Sequence, residues 1–146
     1  MVTKDILECL EQKKILMEQI LNTTKQMEVQ SLQETIDLSL LLEQRSALMQ
    51  RVDKCNQLIT AKINEQGPPE QERLRAVLAG QLPEESCSPE EHKAMYLNAE
   101  ITRLFHRAAS LNRSTTEILH AQYEGVKKNL ATIKENEHQS ELFSFR

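Results

Sequence analysis

The chain has 146 residues, no Trp, 3% aromatics, 3 Gly and 4 Pro, with 39% hydrophobic and 27% charged residues. So few turn formers and aromatics speak against a β-sandwich or barrel, and three glycines leave little room for a nucleotide-binding loop. A formal net charge of −4 argues against general nucleic-acid binding, which needs a basic face.

Pro68, Pro69, Pro83 and Pro89 all fall in one window, together with Gly67 and Gly80. Proline lacks the amide donor and clashes inside a helix, so this window divides two long helical arms. The window is also acidic: residues 67–91 carry six acids and two bases. Residues 92–146 carry six acids and eight bases.

In the first arm, Ile6, Leu10, Met17, Ile20 and Met27 recur at helical spacing and predict a helix over about 4–27. Ser31 followed by Glu34 reads as a capping box, which places a break near 28–31 rather than one unbroken helix from 4 to 66. A second helix then spans about 32–66. Its stripe is Leu38, Leu41, Leu42, Leu48, Met49, Val52, Cys55, Ile59 and Ile63. Gly67 in a left-handed cap and Pro68-Pro69 stop it. Leu74, Val77, Leu78 and Leu82 predict a short amphipathic helix over about 69–81, covering one end of the bundle.

Ser88-Pro89-Glu90-Glu91 opens the last helix with an N-cap, a first-turn proline and two acids at the positive end of the dipole. Its stripe runs through Leu97, Ile101, Leu104, Ala108, Leu111, Ile118, Val126, Leu130 and Ile133, with a phase slip between Ile118 and Val126. The helix is expected over about 89–137, with a tail at 138–146. The fold class is therefore all-α: one elongated antiparallel bundle or coiled coil of three long helices plus one short connector helix, a single domain over 1–146. At 1.5 Å per residue the last helix reaches roughly 70 Å and the second about 50 Å. The surplus stripe needs a partner: a second copy, another protein, or the chain's own tail.

The residues offer little for catalysis. Cys9, Cys55 and Cys87 lack CxxC spacing and read as reduced thiols, Cys55 as a core residue. His92, His106 and His120 recur on one helical face, but neighbours stand about 21 Å apart, too far for one ion. Glu117–His120 and Glu135–His138 match the Glu-x-x-His spacing of di-iron bundles, yet both lie on one helix. No metal, cofactor or nucleophile site is expected, so the chain reads as a non-enzyme. Arg45 interrupts an apolar run. It reads as a core-margin arginine with its head in water, the alternative being a carboxylate partner across the bundle. Phe143 and Phe145 in the tail fold back, fray or meet a partner. No stretch approaches 18 consecutive apolar residues and the first residues lack a signal-peptide core, so a cytoplasmic protein without membrane insertion is expected.

The order of elements, the run Leu-Leu-Glu-Gln-Arg-x-x-Leu-Met-x-x-Val-Asp at 41–53, and a long final helix with Asn112 in its middle resemble flagellar type III export chaperones of the FlgN type. The related FliT type is the second resemblance, and residues 5–135 are covered. The resemblance implies a bacterial cytosolic chaperone that keeps helical termini of axial proteins soluble before secretion. It implies hook–filament junction or cap proteins as clients, an export-gate protein as a further partner, and the last helix as the binding element. Some members dock on the gate through a tyrosine there. Tyr123 matches by position, although packing is the fate its surroundings suggest. The residues themselves nominate Leu111, Ile118, Leu119, Val126, Leu130 and Ile133 as the partner-binding stripe, flanked by Lys127, Lys128 and Lys134, and the resemblance adds Tyr123. The alternative is a structural scaffold in which the same stripe is a homodimer seam.

Overall fold

The computed structural model describes the backbone of residues 2–144 and the side chains of residues 2–134. Among the described residues the chain is all-α. It comprises α1 (Lys4–Ser31), α2 (Ser39–Asn64), α3 (Pro68–Leu78) and α4 (Pro89–Ser144), with a 3-10 turn at Glu84–Ser86. The expected architecture of three long helices and one short connector helix is what forms.

Thr3 starts α1, its hydroxyl accepting from the Ile6 amide at 3.3 Å. All five stripe residues of this helix are buried, and so are Leu16, Leu21, Thr23 and Thr24. The buried face is wide because α1 packs along both α2 and α4. The two threonine hydroxyls it buries donate to carbonyls one turn back, Thr23 to Gln19 at 2.9 Å and Thr24 to Ile20 at 2.8 Å. No polar atom on these side chains is stranded, which is what makes threonine tolerable there.

The break between α1 and α2 falls at 32–38, later than the 28–31 expected. Ser31 is not an N-cap. It is the last residue of α1, fully buried, and its hydroxyl donates to the Glu28 carbonyl at 2.6 Å. Helix α2 begins instead where Asp37 accepts from both the amide and the hydroxyl of Ser39, at 3.0 and 2.6 Å. The capping-box spacing at 31–34 lost to tertiary burial of the serine.

The stripe expected on α2 is only partly covered. Cys55, Ile59 and Ile63 are buried, while Leu42 and Met49 are 47% and 53% exposed. Helix α2 packs on α1 but barely approaches α4, so one narrow face is sheltered.

Gly67 does not take the left-handed cap. Its φ is −66° and it is the N-cap of α3, with Pro68 at the first helical position. The left-handed residue is Gly80, φ 69°, at the other end of α3. There the Gln81 amide donates to Ala76 and the Gly80 amide to Val77, at 2.9 and 3.0 Å, closing a Schellman motif. Leu74 and Val77 of α3 are fully buried, and the Asn98 amide donates to the Leu78 carbonyl, fixing α3 across α4.

The capping box forms at Ser88. Its hydroxyl accepts from the Glu91 amide at 3.1 Å, and Glu91 accepts from the Ser88 amide at 2.9 Å. The same carboxylate takes two bonds from Arg73 of α3, at 2.7 and 3.0 Å. Helix α4 then runs 56 residues, about 84 Å, and continues to Ser144 where a tail from 138 was expected.

Ion pairs give the directions. Lys93 meets Glu11 at 2.8 Å, and the Gln122 amide meets the Ser31 carbonyl at 2.8 Å, so α1 and α4 run parallel. Lys62 of α2 meets Asp5 at 3.4 Å, so α2 runs against both. No helix among the described residues is long and apolar enough to cross a membrane.

The Arg73 bonds, then the bond from Ser88, hold the Glu91 carboxyl down to about 2. A depressed carboxyl contributes stability above its unfolded value and loses it as pH falls through the folded one. Urea unfolding midpoints should therefore hold steady above about pH 5 and fall toward pH 2. Glu91→Gln should lower stability at pH 7 by about 1–2 kcal/mol and flatten that acid limb.

Candidate functional site

Gln122 marks the end of the bundle on α4. Its amide bonds the last carbonyl of α1, and the 22 residues from Tyr123 to Ser144 project beyond it, about 33 Å of helix. At 100° per residue, Leu104, Ala108, Thr115, Leu119, Val126, Leu130 and Ile133 fall within about 40° of one line. Leu104 and Ala108 on that line pack in the core, and Thr115 is buried with its hydroxyl bonded to Leu111 at 2.9 Å. The same line continues past Gln122, where Val126, Leu130 and Ile133 are exposed.

The predicted stripe is thus divided in two. Leu111 is half-buried against the core, and Ile118 and Leu119 are half-buried. Tyr123, Val126, Leu130 and Ile133 are 64%, 56%, 53% and 51% exposed. Tyr123 does not pack: the helix it would pack against, α1, has already ended at Ser31. Lys127, Lys128 and Lys134 are exposed on the same segment. The side chains of Phe143 and Phe145 and the Glu135–His138 pair lie outside the described residues.

A second apolar surface was not legible as such. Between α2 and α4 a groove of about 600 Å³ lies over α1. Met17, Ile20, Ile101 and Ala108 floor it, and Met49 and Phe105 stand exposed on its walls. Arg45 crosses one end, donating to Asn112 Oδ1 of α4 at 2.8 Å and to Thr24 Oγ1 of α1 at 3.4 Å. It meets amide and hydroxyl oxygens rather than a carboxylate, and it remains partly exposed. Lys13 lies toward the other end. Burial pulls both cations below their ordinary values. The sequence signal was Arg45 itself, a charge set inside the run 40–49.

Elsewhere the described residues bring no three His, Cys, Asp or Glu together. Cys9, Cys55 and Cys87 are free thiols, and burial followed by the nearness of Cys55 pushes Cys9 up. Comparison with protein-family models, with curated proteins and with solved structures finds no match to this chain.

The division of the stripe has a direct stability consequence. Val126→Asp with Leu130→Asp should change unfolding free energy by less than about 1 kcal/mol, because both side chains are already in water. Ile101→Asp should cost more than about 3 kcal/mol by burying an unpaired carboxylate. Urea titration followed by circular dichroism measures both.

Proposed function

We propose that this chain is a cytosolic export chaperone whose last helix receives the helical terminus of a secreted flagellar axial protein, a hook–filament junction protein first. The reading rests on one observation: an apolar ridge over Val126, Leu130 and Ile133, in line with the core-facing side of α4, with Tyr123 exposed beside it, and uncovered by α1 or α2. A client helix laid along that line would continue the path of α1 and give α4 the neighbour it lacks. Lys127, Lys128 and Lys134 flank the ridge and favour a client helix with acidic margins. The sequence resemblance at 41–53 supplies the client class. Tyr123, presented to solvent, is the residue we assign to contact with the export gate.

Isothermal titration with the helical terminus of a hook–filament junction protein should give a micromolar or tighter one-to-one complex. Val126→Asp with Leu130→Asp should weaken it at least tenfold while helicity stays unchanged. Undiminished affinity in that variant, or no complex with junction or cap protein termini, would overturn the reading. A tight dimer in sedimentation analysis that the same substitutions dissociate would replace it with the scaffold.

A further inference from the structure

The bundle has three rods where four would close it. Helix α1 touches both neighbours, while α2 and α4 scarcely approach each other, so the fourth corner of the square is a trough. Along its floor, Lys13 to Thr24 on α1 spans about 16 Å, and Asn98 to Asn112 on α4 spans about 21 Å. That is the length of a helix of about 15 residues.

Two observations say what fits. The trough is mostly apolar, through Met17, Met49 and Phe105, with Asn56, Asn98 and Thr102 among its polar lining. It also holds a cation toward each end without an acidic partner. Among the described residues Lys13 forms no ion pair, and Arg45 spends one nitrogen on Asn112 and Thr24 with no partner there for its other donors. Among the described residues Asp53 is the one acid lining the trough, and it is exposed on α2 without an ion pair there.

We propose that this trough seats one amphipathic helix of another protein, carrying two carboxylates about eleven residues apart at the edge of its apolar face, one for Lys13 and one for Arg45. Eleven residues bring a helix round by three turns and about 16 Å, so both acids share a face and match the rise along α1 from Lys13 to Thr24, the residue Arg45 meets. The docked helix would bury Met49 and Phe105, the two exposed walls that the chain itself leaves uncovered. The site is distinct from the ridge beyond Gln122, and a helix in one leaves the other open.

The test uses the full chain and three fluorescein-labelled 18-residue helical peptides with an identical apolar stripe. One carries Glu at positions eleven apart, one carries Glu seven apart, and one has Gln in place of both. Fluorescence anisotropy should rank the first peptide about tenfold or more above the other two, with the margin shrinking as salt rises. Lys13→Glu should weaken the first peptide about tenfold, and replacing the facing peptide Glu by Lys should restore it, which separates charge matching from misfolding. Val126→Asp with Leu130→Asp should leave this affinity unchanged, so failure here and failure of the export reading are separable. Equal binding of the Glu and Gln peptides, no rescue by the charge swap, or loss of binding in the Val126 and Leu130 variant would each overturn the proposal. So would self-association of the chain through Met49 and Phe105 in sedimentation analysis.

Discussion

A helix buries its apolar face only where another helix lies alongside it, and in this chain α1 is the single rod that lies alongside two others. Ten residues of α1 are buried against three of α2, so the core is built around α1 and the other long helices lean on it. Where α1 ends, at Ser31, the core ends. The Ser31 carbonyl is met there by Gln122, a polar residue on the mostly apolar line of α4. Both open surfaces follow from that geometry: the ridge beyond α1, and the trough between its two neighbours.

The opposite end is closed with more care. Helix α3 crosses the bundle, burying Leu74 and Val77, and is stopped by the Schellman turn at Gly80. The Arg73 fork then ties it to Glu91 in the first turn of α4. That carboxylate serves the helix cap and the ion pair together, and its side chain is only 8% exposed. Paired and fully hydrogen-bonded, it is a charge that burial does not penalise heavily. The connector thereby fixes where α4 begins, and the length of α4 decides how far it overshoots.

Much of this was legible in the residues. The stripe of α1, the opening of α4 at Ser88 and the short helix carrying Leu74 and Val77 are local patterns with local causes, and they form at or near the expected positions. What periodicity could not convey is which neighbours exist. Leu42 and Met49 keep helical step with Cys55 and Ile59, yet the first two are exposed, Met49 on the wall of the trough, while the latter two are buried. A moment-like pattern reports that a face is apolar, not that something covers it. The capping-box spacing at Ser31 misleads for a related reason. Ser31 with Glu34 and Ser88 with Glu91 share the same spacing, and only burial of Ser31 against α4 distinguishes them. Tyr123 was placed in packing on the same assumption of a neighbour that is not there.

Charge gives the molecule an orientation that the apolar surfaces alone lack. The connector end is acidic, with six acids against two bases over 67–91, while the chain beyond it is net basic. Glu91, the most buried of those acids, is already spent on Arg73 and Ser88. The exposed ones, including Glu70, Glu84 and Glu85, face water at that end and repel an acidic helix from it. Lys127, Lys128 and Lys134 stand at the far end, and Arg45 holds the end of the trough nearer to them, since it meets Thr24 and Asn112. An acidic amphipathic segment is therefore turned toward the open apolar surfaces before any contact is made. Contact then depends on shape and on whether its carboxylates fall in register with the cations. If the proposed helices bind, apolar surface is available to them on two faces, so their choice between sites would be set by where the positive charges stand along each.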